Sequence, residues 1–274
     1  MTAESTFNLP RLNVVSAIVR RDFLVTRSYR TAFVLEAVYG PLELAVYFFI
    51  SRTFADVART NLHGAPSYFA YAAVGIILGA VISAASSNIG FGLRDEQLTG
   101  TLEALAAQPV RAIEICGGLL GFPLIFAFGR AAAYLAIAGF WMGLDVSQAS
   151  WVGLVAVLLA SAGALASLGI LTGALVLVVK KGQTVAGVAI FAMTLLSGAV
   201  FPVEVLPEPF ETAARFMPTR FAFDGTRAAL FRGEGWGEDA IVLLALATVL
   251  VPLSVAVFAA ALRRAKRAGT LASY

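Results

Sequence analysis

LRDEQLTGTLEALAAQPV, residues 93–110, separates two long apolar runs with a short charged segment. Its leucines fall on one face of a helix and carboxylates surround them: Leu98, Leu102, Leu105, Asp95, Glu96 and Glu103. Gly100 permits a bend, and Pro109 ends the segment before the next apolar run. An ordinary loop helix resting on the lipid headgroups is one interpretation. Acidic residues are disfavoured at an anionic leaflet, however, so a docking face for a protein partner explains the segment better.

The composition places the chain in a membrane. Its 274 residues are 59% hydrophobic and 14% charged, with a mean hydropathy of +0.84; soluble domains have about 45–50% apolar and about 25% charged residues. One membrane domain and no soluble domain are expected. A single cysteine, Cys116, and a single histidine, His63, leave no intramolecular disulfide and no Cys/His metal cluster to propose. The net charge of +3 is better explained by basic residues that collect on the cytosolic side of a membrane protein than by binding to nucleic acid.

Apolar runs long enough to cross about 30 Å of hydrocarbon define the architecture. They predict six transmembrane helices at roughly 31–52, 68–92, 112–141, 151–179, 184–203 and 239–262. With a cytosolic N-terminus, 13 of the 20 Lys and Arg residues fall on the cytosolic side, which predicts that both termini are cytosolic. The segment 93–110 is then cytosolic, and the tryptophans mark the other membrane face: Trp141, Trp151 and Trp236.

The N-terminal region predicts a helix that lies in the headgroup layer. Apolar residues recur at three- and four-residue steps over 10–28: Leu12, Val15, Ile18, Val19 and Phe23. A frayed cytosolic tail is the alternative. The predicted organisation is a cytosolic N-terminus over 1–30, a membrane domain over 31–262 and a basic cytosolic tail over 263–274.

Glycines at four-residue spacing recur within the predicted spans, in the pairs Gly75 and Gly79, Gly117 and Gly121, and Gly169 and Gly173. Small residues at this spacing let helix backbones approach closely in lipid. Such pairs are common in proteins with several spans, so they are only a weak indication of a subunit interface.

Ionisable residues inside the predicted spans form a second feature. A polar stripe follows one face of the first span: Glu36, Tyr39, Gly40, Glu43 and Tyr47. Arg130 lies in the third span. The stripe either lines a substrate path together with Arg130 or forms a structural ion pair with it, and Glu36 can alternatively reach the cytosolic interface. Because Glu43 lies about 10 Å deeper than Glu36, we expect it to matter more.

The segment 204–236 is too polar and too rich in proline to span the membrane. Two short helices that dip back into the outer leaflet are expected, and protein must cover their backbone. The segment is either an external gate or a simple external cap. The candidate gate residues are Phe201, Pro202, Pro207, Phe216 and Pro218.

Two motifs resemble the membrane subunits of type-2 ATP-binding-cassette exporters. Residues 96–105 with 108–110 are similar to the family's cytosolic E-x-x-x-G-T-L-E-x-L…x-P-V segment. Residues 197–230 resemble its fifth span, re-entrant external segment and P-x-x-x-x-x-D-x-x-R run, which ends in Asp224 and Arg227. Gln97 and Leu98 stand where charged residues are more usual.

The resemblance implies a permease that dimerises, as a homodimer, and recruits two cytosolic ATPase subunits. It implies that 10–28 is a connecting helix and that 94–108 is a coupling helix. The residues expected to couple to the ATPase are Asp95, Glu96, Gly100, Thr101, Leu102, Glu103 and Leu105.

The sequence contains no G-x-x-x-x-G-K-[ST] run, so ATP and Mg are expected on the partner ATPase and no cofactor on this chain. The predicted function is export of an amphiphile, such as a drug, a lipid or a lipid-linked glycan, across a bacterial plasma membrane. The alternative is a secondary transporter or channel that uses Glu36, Glu43 and Arg130. A membrane enzyme is a distant third, because no nucleophile–base pair is visible.

Overall fold

The computed structural model describes residues 12–53, 62, 64–179 and 182–269. Within these ranges the chain is helical and contains no strand. The α-helices are α1 Leu12–Ser28, α2 Arg30–Thr53, α3 Tyr68–Leu98, α4 Thr101–Ala107, α5 Ala112–Met142, α6 Trp151–Val178, α7 Gly182–Leu196, α8 Glu208–Arg215, α9 Pro218–Arg227 and α10 Trp236–Ala268. A 3-10 turn, Val203–Val205, precedes α8, and a π-helical turn, Ala228–Arg232, follows α9. His63 and the predicted tail beyond residue 269 lie outside the described residues.

Five of the six predicted spans are helices long and apolar enough to cross a membrane: α2, α3, α5, α6 and α10. The predicted span 184–203 is shorter than expected, because α7 ends at Leu196 after 15 residues. Gly198 adopts a left-handed φ of +75°, and Pro202 has no N–H to continue a helix. At 1.5 Å per residue α7 is about 22 Å long, which is less than the hydrocarbon thickness.

The core of the bundle is the pair α3 and α6, most of whose length is buried, whereas α2 and α10 are largely exposed. Glycines allow the two central helices to approach. Gly169 lies against the carbonyl group of Ala85, and a methyl group at Gly173 would clash with Ile89. This glycine pair therefore serves close packing within the chain, as the spacing predicts.

Helix α1 packs along α5 and does not lie apart from the bundle. Val15, Ile18 and Val19 of α1 face three glycines of α5: Gly117, Gly118 and Gly121. At the end of this contact the rings of Phe23 and Phe122 lie 6.0 Å apart, edge to face. The predicted helix is confirmed, and the middle of its apolar face packs on α5, whereas Leu12 and Phe23 at its ends are exposed. The glycines remove the side chains that would otherwise keep α1 away.

The two ends of the bundle differ. Trp141 lies in the last turn of α5, Trp151 begins α6, and the Trp236 ring at the start of α10 lies on Gly153. These residues define the tryptophan end, where α8 and α9 also join the bundle. The opposite end carries α4, together with the last turn of α10, whose Lys266 side chain contacts α4. We refer to it as the α4 end.

Candidate functional site

The polar stripe of α2 meets α5 through an ion pair. Nη1 of Arg130 lies 2.7 Å from Oε1 of Glu36. The Tyr134 hydroxyl donates to the Glu36 carbonyl oxygen at 3.4 Å, and the Tyr134 ring covers Gly40. The structural pair is thus present, but its carboxylate is Glu36. Glu43, the carboxylate that was expected to matter more, lies two turns farther along α2 and makes no ion pair with Arg130 among the described residues.

The other residues of the polar stripe differ in how far they are exposed. Tyr39 is exposed, whereas Glu43 and Tyr47 are half-buried. The Tyr47 ring lies 6.2 Å from that of Tyr68 at the start of α3. Glu36 is exposed like Tyr39, so the stripe runs from two exposed residues near the start of α2 to two half-buried ones farther along it, and its role in lining a substrate path stays a prediction.

A polar cavity of about 500 Å³ lies between α1, α2, α3 and α5. The Glu36–Arg130 pair borders it, and so do Asn88, Asp95 and Glu96 of α3. The intramembrane charges and the acidic segment before α4 therefore border one cavity. In the sequence these two features lie far apart. The cavity extends from the ion pair to the α4 end of the bundle.

The predicted coupling segment is not one continuous helix. Helix α3 continues to Leu98, Gly100 turns the chain with a φ of +73°, and α4 then begins. Because of this break the three leucines do not share a face. Leu98 is 64% exposed, Leu102 is 1% exposed, and Leu105 packs at the edge of the core. The bend expected at Gly100 is confirmed, while the common leucine face is wrong.

Contacts from α1 and from α10 fix the position of α4. Arg21 of α1 lies 2.5 Å from Oε1 of Glu96, and the Thr101 hydroxyl bonds the same carboxylate. At the other end of α4, the Lys266 ammonium donates to the Ala106 carbonyl oxygen at 2.6 Å. Sequence inspection missed Arg21 and Lys266, because neither belongs to a motif and both contacts join distant parts of the chain.

The outer surface of this region is acidic. Asp95 and Glu103 are exposed on either side of Gly100, and Leu98 adds an exposed apolar group. Glu96, in contrast, is turned inward by its bonds to Arg21 and Thr101. A protein docking here would meet the carboxylate of Asp95 and the Leu98 side chain at the end of α3, and the carboxylate of Glu103 on α4.

At the tryptophan end, the proline-rich segment forms the two expected short helices, α8 and α9. Of the candidate gate residues, Pro202 is buried, Phe201 is half-buried, and Pro218 begins α9. Pro207 precedes α8 at the surface, and Phe216 between the helices is 80% exposed. The five residues are therefore not one constriction within this chain, because only the first three pack toward the bundle.

Helix α9 penetrates the bundle. Phe223 lines a cavity of about 170 Å³ together with Ile82 of α3. Ile82 lies 14 residues after the start of α3, which corresponds to about 21 Å along that helix. The cavity that Phe223 borders thus extends roughly half-way along α3, and most of α9 is buried in protein, as a re-entrant segment requires.

A buried arginine fixes this arrangement. Arg227 is 1% exposed, and its guanidinium carbon lies 3.6 Å from the centre of the Tyr71 ring. Both side chains donate to the Gly198 carbonyl oxygen at 2.7 Å. The sequence motif includes Asp224 and Arg227, but nothing in it indicates Tyr71 as the partner.

The comparisons with known proteins agree with this architecture. Residues 13–231 match the ABC-2 type transporter family. Nodulation protein J of Rhizobium leguminosarum bv. trifolii is 30% identical over 235 residues, covering 82% of this chain and 84% of that protein. The chain belongs to the ABC-2 transporter family and is a multi-pass membrane subunit of an ATP-binding-cassette transporter. The family's membrane subunits work with an ATP-binding-cassette ATPase and are not ATPases themselves.

Proposed function

We propose that this chain is the permease of an ATP-driven exporter that moves an amphiphile out of the cytoplasm of a bacterium. Two copies of a cytosolic ATPase bind ATP and Mg and supply the work, while this chain holds no cofactor. The α4 end and both termini face the cytosol, in agreement with the distribution of Lys and Arg. The tryptophan end faces outward.

The observation that carries this proposal is the construction of α4. A seven-residue helix gains little stability from its own hydrogen bonds. Here Leu102 anchors it in the core, Arg21 holds the preceding turn, and Lys266 holds its last turn. Its outer side keeps one exposed carboxylate, that of Glu103. These features fit a surface that receives force from a partner and passes it to the bundle.

A second copy of the permease is proposed beside α2. This helix has few contacts within the chain and exposes a row of large apolar side chains: Val34, Leu35, Val38, Leu42, Val46 and Phe49. In a dimer, part of this row and the nearby Glu36–Arg130 pair would border a path between the two copies. The amphiphilic character of the substrate is inferred from this combination of apolar wall and polar cavity.

The test reverses one charge on α4. Glu103→Arg changes an exposed residue that makes no ion pair among the described residues, so the fold should be kept. The complex of permease and co-purifying ATPase is reconstituted in liposomes, and dye-labelled lipid or drug export is measured with the ATPase rate. Glu103→Arg should lower ATP-dependent export about tenfold.

Glu208→Arg is the matched control, because Glu208 is also an exposed acid in the first turn of a short helix but lies at the tryptophan end. It should keep the export rate of the unmodified chain. Normal export and normal ATPase stimulation in Glu103→Arg would reject the docking role. Transport that continues without ATP and follows a proton gradient would reject ATP-driven export in favour of a secondary transporter.

A further inference from the structure

A second groove adjoins the polar cavity, and the two share Thr26, Phe122, Phe126 and Arg130 as lining residues. The second groove has a volume of about 960 Å³ and runs between α1, the start of α2 and α5. Its floor is aromatic. The rings of Phe122 and Phe126 are stacked with centres 6.0 Å apart, and the Phe23 ring meets Phe122 edge to face at the same distance. Val19 and Ile125 continue this apolar floor.

Three unpaired arginines form the rim of the groove. Arg20, Arg27 and Arg30 are exposed and make no ion pair among the described residues. Arg130 also borders the groove, but its charge is engaged by Glu36. No carboxylate belongs to the lining residues in the described part of the chain. The groove therefore combines uncompensated positive charge with a wide apolar surface.

We propose that this arginine groove binds an anionic phospholipid of the surrounding membrane. The phosphate lies between the guanidinium groups of the rim, and an acyl chain lies along the phenylalanine floor. Arginine suits this role because its planar donors match phosphate oxygens in pairs. A free phosphate ester would leave the floor uncovered, and a zwitterionic lipid would leave the positive charge of the rim uncompensated.

This inference goes beyond the export proposed above and does not rest on it. It requires only that the chain lies in a bilayer, which the family membership establishes. Because α1 forms one wall of the groove and also holds Glu96 through Arg21, a bound lipid would help to fix α1 on α5.

The charge is tested by native mass spectrometry of the full-length chain with phosphatidylglycerol or phosphatidylcholine of identical acyl chains. Each arginine near a membrane surface favours an anionic lipid by about fivefold. Arg20→Gln combined with Arg27→Gln should therefore reduce the preference for phosphatidylglycerol about 25-fold. Arg263→Gln combined with Arg264→Gln removes two exposed arginines from α10 and should leave the preference unchanged. An equal loss in both double variants would overturn the proposal.

The acyl chain is tested with a variant that keeps every charge. Gly129 borders the groove, and a Cβ added there meets no atom within 4 Å, so Gly129→Trp places an indole ring at the floor. Binding of phosphatidylglycerol should fall at least tenfold. Gly187→Trp is the control, since Gly187 also has open space but lies on α7. Unchanged binding in Gly129→Trp would overturn the proposal.

The source of the phosphate is tested by competition. Excess glycerol 3-phosphate should leave phosphatidylglycerol bound, because the water-soluble ester lacks the acyl chain. Displacement would show a site for free phosphate esters and would overturn the proposal. Loss of export in a variant that keeps its lipid preference would bear on the proposed function alone, so the two ideas can fail independently.

Discussion

At the scale of single residues, Arg130 pairs with Glu36 and not with Glu43 because of where the two carboxylates lie along α2. A charged side chain within a span costs several kcal/mol unless it is paired or hydrated. Glu36 lies near the start of α2 and beside the polar cavity, so its pair with Arg130 has access to water on one side. Glu43 lies two turns deeper and meets no cation among the described residues. The ion pair thus occupies the first turns of the span, where the cost of charge is lower.

A double-mutant cycle tests this pairing. Glu36→Gln and Arg130→Gln each leave one charge without its partner, whereas the double variant leaves neither. The two changes should therefore couple favourably by about 1 kcal/mol in thermal unfolding of the detergent-solubilised chain. Glu43→Gln is the control and should be additive with Arg130→Gln. Additivity of Glu36→Gln with Arg130→Gln would show that the pair contributes nothing.

At the scale of elements, one buried side chain connects α9 to two other elements of the bundle. Arg227 stacks on Tyr71 of α3 and donates to the carbonyl group that follows α7, so three elements meet at one guanidinium. Lysine retains the charge but lacks the planar fork and the stacking surface. The arrangement makes the position of α9 dependent on the shape of this side chain and not on its charge alone.

Arg227→Lys should therefore destabilise the chain by about 2 kcal/mol, the value expected for losing a hydrogen bond from a charged group in a buried site. The measurement is the midpoint of thermal unfolding in detergent. Arg215→Lys, at an exposed pair with Glu211 on α8, should leave the midpoint nearly unchanged. A midpoint for Arg227→Lys equal to that of the Arg215→Lys control would contradict the anchoring role.

Most helices could be predicted from the sequence, because long apolar runs allow few alternatives in a membrane. The end of α7 could not, since Gly198 and Pro202 break the helix within an otherwise apolar stretch. The packing of α1 on α5 could not be predicted either, because the amphipathic pattern of α1 suits a lipid surface and a helix surface equally well. Its contact with α5 depends on the glycines of a distant segment. In the candidate site, the residue types were predicted, but the choice between Glu36 and Glu43 required the register of α2 against α5.

At the scale of the whole molecule, the two ends of the bundle should lie on opposite sides of the membrane. Single cysteines are introduced in a Cys116→Ser background at exposed positions: Leu98→Cys, Arg264→Cys and Thr212→Cys. A membrane-impermeant maleimide should label position 212 in intact cells and positions 98 and 264 only after permeabilisation. Cys116 itself is buried, so its replacement should affect labelling little. Labelling of positions 98 and 212 from the same side would contradict this topology.

Helix α3 has a mechanical consequence. It is one uninterrupted helix of 31 residues, about 46 Å long, and most of it is enclosed by other helices. Its last turn leads into α4, while Tyr71 in its first turn holds the Gly198 carbonyl group and the Arg227 side chain. Such a helix would transmit an axial shift at the α4 end to α9 at the tryptophan end with little loss. Coupling between the two ends of the bundle would then depend on the stiffness of α3. Two consecutive glycines near the middle of α3 should weaken this coupling.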